Sequence, residues 1–247
     1  MTGHPIAYDF SGQVALVTGA TGGLGPAIVK GLLDASAVVV GVSQHVDEQR
    51  EREMRARIAA DAGARFTLVA ADAQDEASVA QVVGNVVAQH GRLDILVNGI
   101  GGYYAGDPVA ETLLENWQRM LDLNLRPTFL FSKYAARTMV AQQGGRIINV
   151  SSRAAYSGRK NAAAYATAKN GVITLTEAQA EEMRGAGVTV NAVVPSIIDT
   201  PANRAAMPNA DTSRWPTAEQ VARVILFLAS EDAGLISGAA IPVYGRA

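Results

Sequence analysis

The sequence predicts an α/β fold with a doubly wound, mostly parallel sheet of seven strands and helices on both faces, in one unit over residues 1–247. Three observations predict it. Short uninterrupted apolar runs rich in Val and Ile alternate with helix-length segments, the pattern of strands buried on both faces. The first apolar run ends in a cluster of glycines that opens a helix. The chain has 247 residues, 49% of them apolar, enough for one large core.

The elements follow in order. Residues 13–18, "QVALVT", form the first strand, and "PAIVKGLLDA" (26–35) reads as a helix. "AVVVGV" (37–42) is a second buried strand, followed by a charged helix over 46–62. "RFTLVA" (65–70) is the third strand and residues 76–90 the third helix. "LDILVN" (93–98) is the fourth strand. A long helix is expected from 112 to 142, and "GRIINVS" (145–151) as the fifth strand. Residues 162–184 read as a helix, and "GVTVNAVV" (187–194) as the sixth strand. The segment 195–216 is rich in Pro, Asn and Asp and reads as irregular. A connection that long in a compact fold is usually a lid or binding loop, so 196–216 is expected to cover the substrate. A helix over 218–230 and a strand near 239–244 complete the chain. Residues 1–9 show no element and are expected to be flexible.

Composition excludes several functions. There is no cysteine, so disulfides, thiolate metal sites and cysteine nucleophiles are out. The three histidines, His4, His45 and His90, are far apart in the sequence, and no metal is expected. Net charge is −2 with no basic block, which argues against nucleic acid. No apolar run approaches the ~18 residues of a membrane span. "MTGHPIAYDF" lacks the basic start and apolar stretch of a secretory leader. A cytoplasmic protein with a small-molecule partner is expected.

"VTGATGGLGPA" (17–27) carries the first chemistry. Gly19, Thr21, Gly22, Gly23 and Leu24 make a turn through which the backbone approaches a pyrophosphate closely, and the helix N-terminus supplies free N–H groups. Pro26 sits where a missing N–H costs nothing. After the first strand of a βαβ unit, this reads as a Rossmann-type dinucleotide site; an ordinary strand-to-helix turn is the plainer alternative. The second strand runs into "GVSQHVDEQRER". An acidic residue there would hold a ribose 2′-OH. Ser43 and Gln44 are neutral and leave room for a 2′-phosphate, with Arg50 or Arg52 within reach, so NADP(H) is favoured over NAD(H). Asp72, with Ala73, follows the third strand, and Asn98, with Gly99, ends the fourth, at the sheet edge where ligands bind. Asp72 either meets the adenine or caps the next helix.

"AYATAKNG" (164–171) raises the second question. A chance Tyr-x-x-x-Lys in a chain of seven tyrosines and four lysines has a probability of about 0.1. Tyr156–Lys160, "YSGRK", reads as loop. Tyr165–Lys169 lies on a good helix, where residues four apart share a face. A phenol ionises near pH 10, and bringing that to about 7 takes about 4 kcal/mol. A nearby ammonium and a nicotinamide cation in a partly dry site supply such a preference. The tyrosine then exchanges a proton with a carbonyl or alcohol oxygen while hydride moves. Ser152, at the end of the fifth strand, is the natural second donor, and otherwise a turn cap. Asn124 stands mid-helix, where Asn is a poor former, and Pro127 cannot donate to the carbonyl of Leu123. A kink beside Asn124 with backbone groups free for water is expected.

Together "TGATGGLG", Asp72, "DILVNGIG", Asn124, "NVSS", "YATAK" and "NAVVPSIIDT" resemble the short-chain dehydrogenase/reductase family, over essentially the whole chain from Phe10. The resemblance implies a carbonyl reductase or alcohol dehydrogenase using NAD(P)(H), with a catalytic tetrad. Tyr165 would be the acid/base, Ser152 would polarise the substrate oxygen, Lys169 would bind the nicotinamide ribose and lower the tyrosine pKa, and Asn124 would hold a relay water. Pro195, Ile198 and Thr200 would line the carboxamide. The sequence departs from the family at Asn98-Gly99-Ile100-Gly101, usually Asn-Asn-Ala-Gly, and at Pro195-Ser196, usually Pro-Gly. The loop "DTPANRAAMPNADTSRW" resembles that of dihydropteridine reductase, a member without the serine, so Ser152 weighs against a pterin. Substrate-lining positions are expected at Tyr103, Tyr104, Arg153, Tyr156, Asn203 and Trp215. A 3-oxoacyl thioester reductase and a pterin reductase are the neighbouring readings, and a dinucleotide-binding regulator or scaffold the non-enzymatic one. Family members are commonly homotetramers or homodimers.

Overall fold

Val14–Thr18 (β1), Val38–Ser43 (β2), Phe66–Ala70 (β3), Ile95–Asn98 (β4), Gly145–Val150 (β5), Val188–Pro195 (β6) and Ala240–Val243 (β7) form one seven-stranded sheet in the order β3-β2-β1-β4-β5-β6-β7. Every pairing is parallel. The structure is a computed structural model and describes residues 8–58 and 63–246. The expected flexibility of 1–7 and the expected helical end at 59–62 lie outside the described residues. Tyr8 is anchored, its ring stacked on Phe10 with centroids 6.1 Å apart.

The parallel sheet is covered on both faces, as its apolar strands require. Ala15 and Val17 face one layer, with Ile28, Val29 and Leu32 of α1 (Gly25–Asp34) and Val221 and Ile225 of α8 (Ala218–Ala229). Val14 and Leu16 face the other, with Val79 and Val83 of α3 (Glu76–His90) and Phe131 and Met139 of α5 (Arg126–Gln142). Each of these side chains is essentially sealed from water, worth about 1.5–3 kcal/mol apiece for the larger ones.

Strand order reverses between β2 and β4, which flank β1, so the crevice at the carboxyl ends of β1 and β4 is the topological switch point. Thr18 pairs with Asn98 there.

Helix ends follow local chemistry. Asp75 caps α3 by accepting from the Ser78 N–H, and Gly91 closes it at φ 73°. The expected charged helix shortens to α2 (Glu48–Arg57), because Asp47 caps it. The expected long helix is two: α4 (Leu114–Asn124) and α5, parted at Leu125. Pro127 takes the first turn of α5, where no N–H is needed. The helix Ala163–Glu182 (α6) carries the tyrosine and lysine. The segment 196–216 is more ordered than expected. It holds α7 (Pro201–Ala206) and a single 3₁₀ turn at Thr212–Arg214. Its two ends meet where the Asp199 N–H donates to the Pro216 carbonyl at 2.8 Å.

Candidate active site

The glycine turn between β1 and α1 is tight. Gly19 has φ 68°, and a Cβ on it would lie 2.9 Å from the Gly99 carbonyl oxygen. A Cβ on Gly23 would lie 2.9 Å from the Thr200 methyl, so the segment 196–216 reaches the turn at Thr200. Gly99, where the family resemblance implies Asn, has no room for a side chain: its Cβ would stand 2.7 Å from the Thr18 carbonyl oxygen. The N-terminus of α1 has no side-chain cap and no acidic residue in its first turn. A backbone cradle that any side chain would fill, beside open N–H groups, fits a dinucleotide pyrophosphate. Thr21 and Ser43 join the turn to the end of β2 through hydroxyls 2.9 Å apart. Gln44 and Arg50 are exposed beyond them, while Arg52 pairs with Glu48 at 3.4 Å.

Tyr165, Lys169, Ser152 and Asn124 converge at the carboxyl ends of β4 and β5. Ser152 is a hydrogen-bond partner of the Tyr165 phenol and also caps a 3₁₀ turn through the Ala154 N–H at 3.3 Å. Lys169 is buried, and its Nζ donates to the Val150 carbonyl at 3.0 Å. Burial pushes that ammonium down to about 8. Asn124 is sealed from water, and its amide spans Gly102: Nδ2 donates to the carbonyl and Oδ1 accepts the N–H, each at 3.0 Å. Nδ2 also reaches the Met120 carbonyl at 3.1 Å. A Cβ on Gly101 would stand 2.8 Å from both Asn124 Oδ1 and Lys169 Nζ, so the loop after β4 runs between the two.

The Tyr165 phenol differs from expectation. Burial pushes it above the ordinary phenol range, with Tyr103 adding to the rise; Ser152's hydrogen bond and the charge of Arg159 oppose it. The Lys169 ammonium gives one of its three N–H groups to the Val150 carbonyl.

Other expected residues point elsewhere. Asn98 turns into the core, where Nδ2 donates to Ser132 at 2.9 Å and to Asn149 at 2.8 Å. Asn149 in turn donates to Thr176 at 2.9 Å, so Asn98 meets the cleft only by its backbone. Asp72 accepts from the Gln74 N–H at 2.9 Å, and the cap of α3 is Asp75, not Asp72. Ala73 is half-buried against the apolar layer of α3. Asn203 braces the segment 196–216 by donating to the Ile198 carbonyl at 2.8 Å. Thr200 caps α7 through the Asn203 N–H. Tyr156 faces β7, its hydroxyl 3.4 Å from the Ala240 carbonyl, and Arg153 lies over the Tyr244 ring at 5.5 Å. Trp215, near the end of the segment 196–216, is buried. Tyr104 is covered by Arg119 at 4.8 Å. Tyr103 stays at the site, edge-on to Tyr165 with centroids 5.1 Å apart. Ser196, in place of glycine, is unstrained and donates to the Tyr244 carbonyl at 2.8 Å.

Three contributors escape sequence reasoning. Ser151 Oγ donates to the Lys169 carbonyl at 2.7 Å, pinning α6 to β5. Gly101 is the gap between Asn124 and Lys169. Arg159 acts on the phenol from a loop, and no periodicity marks it.

A family model described as short chain dehydrogenase matches residues 13–211. The chain is 37% identical to the cis-4-hydroxycyclohexanecarboxylate dehydrogenase of Sinomonas cyclohexanicum over 246 residues, 96% of each chain. It is 32% identical to the 3-oxoacyl-[acyl-carrier-protein] reductase of Salmonella typhimurium, covering 96% of this chain and 98% of that one. Among solved structures, ElxO with NADP bound superposes with a TM-score of 0.86 at 27% identity, covering 94% of this chain and 97% of that chain.

Proposed function

The chain belongs to the short-chain dehydrogenase family and is an oxidoreductase that interconverts a carbonyl and a secondary alcohol with NAD(P)(H), and we propose that Tyr165 is its acid/base. The observation that carries this is the half-buried phenol of Tyr165 with Ser152 as its hydrogen-bond partner, one helical turn before the buried Lys169. The nicotinamide supplies or takes the hydride. In reduction, the Tyr165 hydroxyl gives its proton to the carbonyl oxygen as negative charge develops there, and Ser152 donates a second hydrogen bond to the same oxygen. A phenol held above its ordinary range is protonated at neutral pH, the form reduction needs. Lys169 holds the ribose and, with Asn124, fixes the loop at Gly101 and Gly102. The carbonyl of Leu123, to which Pro127 cannot donate, supports a water that returns the proton.

NADP(H) is the proposed coenzyme. Ser43, at the end of β2, and the adjacent Gln44 are neutral, and Arg50 has no ion-pair partner among the described residues. One unit spans 1–247, residues 196–216 close over the substrate, and the protein acts in the cytoplasm. Leu113, Leu114 and Phe129, exposed at 57, 79 and 46% on or beside α4 and α5, support a homotetramer or homodimer. The name of the Sinomonas relative makes a cyclic hydroxy acid the first substrate to try. NADPH and NADH oxidation is measured against 4-oxocyclohexanecarboxylate, simple ketones and 3-oxoacyl thioesters. Turnover lost in Tyr165→Phe supports the reading, and turnover that survives refutes it.

A further inference from the structure

The edge strand β7 and the residues after it touch both sides of the cleft. On one side stands the 3₁₀ turn Arg153–Ala155, which Ser152 caps. The Arg153 guanidinium lies over the Tyr244 ring, 5.5 Å from its centroid, and the Tyr156 hydroxyl donates to the Ala240 carbonyl at 3.4 Å. On the other side stands the segment 196–216. The Ser196 N–H donates to the Val243 carbonyl at 3.3 Å, and Ser196 Oγ donates to the Tyr244 carbonyl at 2.8 Å. Near the far end of that segment, the Arg246 N–H donates to the Arg214 carbonyl at 3.0 Å, and Arg214 Nε donates back to the Arg246 carbonyl at 2.8 Å. Gly245 makes the turn between these contacts at φ 65°, where a Cβ would stand 2.9 Å from the Arg214 carbonyl oxygen. Tyr244 and Arg153 are both half-buried.

Loops resting on an edge strand mean by themselves no more than a closed sheet end. Here one residue joins the two sides: Tyr244 holds Ser196 by its carbonyl and Arg153 by its ring. We propose that Tyr244 is a positioning residue for the reaction, fixing the Ser152 turn through Arg153 and setting the segment 196–216 against that turn through Ser196. A guanidinium over an aromatic ring is attracted to the ring's negative face, and more strongly once water is partly excluded. The attraction acts on the residue next to Ser152, so losing the ring frees the turn whose first hydroxyl donates to the substrate oxygen. The Thr200 methyl, in the same segment as Ser196, stands 2.9 Å from a Cβ placed on Gly23. The clasp therefore also sets the coenzyme turn in register with Ser152. The inference rests on the reading of Ser152 as a donor to the substrate oxygen and deepens it by naming what places that donor.

The test measures kcat, KM and NADPH Kd for Tyr244→Phe, Tyr244→Leu, Arg153→Met and the Leu/Met double variant, with Ser152→Ala beside them. Amide hydrogen exchange is followed in wild type and each single variant. Tyr244→Phe keeps the ring and should stay within about twofold of wild type in kcat. Tyr244→Leu and Arg153→Met should each lower kcat about 10-fold, with NADPH Kd held within about twofold. The double variant should fall no further, because both substitutions remove one contact. Exchange in Tyr244→Leu should quicken over 151–156 and over 196–200 together. If Tyr244→Leu does not fold, Arg153→Met carries the test through kcat and through exchange over 151–156. Phe and Leu impaired alike, or losses that multiply in the double variant, overturn the inference. A kcat unchanged in Tyr244→Leu but lost in Ser152→Ala overturns it and leaves the reading of Ser152 intact. A kcat unchanged in Ser152→Ala refutes that reading instead, and exchange then decides the clasp: quickened over both segments it stands, confined to 240–246 it falls.

Discussion

Replacing Lys169 by Met should make the protein without coenzyme more stable at neutral pH. Burial alone brings this lysine from 10.5 to about 8. At about 1.4 kcal/mol per pH unit, keeping it charged costs the fold about 3 kcal/mol. Methionine has similar length and no charge. Its cost is the bond to the Val150 carbonyl, 3.0 Å long, and an acceptor left short of a donor costs about 1–2 kcal/mol. The net gain at pH 7 is about 1–2 kcal/mol, or about 3–6 °C in Tm at this chain length. The sign can be checked by linkage. Between pH 8 and 10.5 the unfolded chain binds a proton that the folded lysine has released, so this group's contribution rises with pH through that window. Tyr165 acts oppositely and later: its folded pKa lies above the unfolded value, so its contribution is present below about pH 10 and lost above. Urea unfolding of both proteins at pH 7 and 9.5 separates the two. Wild type should gain stability toward pH 9.5, and the variant should not. Saturating NADP should stabilise wild type and do little for the variant. A variant less stable at pH 7, with a pH dependence parallel to wild type, would refute the buried-charge account.

Other outcomes follow from the same geometry. Asn98→Ala should cost about 2–3 kcal/mol in urea, by leaving Ser132 and Asn149 short of a donor, yet shift the coenzyme Kd little. Gly19→Val should weaken coenzyme binding at least about 10-fold by fluorescence titration, since φ 68° and a contact of 2.9 Å at the Cβ leave the turn no room. Ser43→Asp should move the kcat/KM preference from NADPH toward NADH, by about 10-fold or more, because a carboxylate repels a 2′-phosphate and accepts from a 2′-OH. Asn124→Ala should lower kcat at constant Tyr165 geometry, since it releases both bonds to Gly102.

The sheet was readable because each strand is a short β-branched run, and α3 was readable to the residue because Asp75 and Gly91 punctuate it. The Tyr165–Lys169 pair was readable because helical spacing puts both on one face. Side-chain direction at strand ends was not. Asn98 was expected in the cleft, and only the packing of α5 against β4, with β5 alongside, shows that its amide meets Ser132 and Asn149. Tyr156 and Arg153 look like substrate residues in the sequence, but the return of β7 beside β6 draws both toward the C-terminal strand. The rise in the Tyr165 pKa was equally hidden, because burial is a property of the assembled loops.

The most direct test is kcat for NADPH-dependent reduction of a ketone accepted by wild type, set beside Tyr165→Phe. The phenol is the proposed proton donor, and phenylalanine keeps the ring against Tyr103 at the same edge-on contact. A fall of about 10²–10⁴-fold, with NADPH still bound, is the predicted result. A kcat within about threefold of wild type would contradict the assignment, since proton-donor catalysis is worth far more than that.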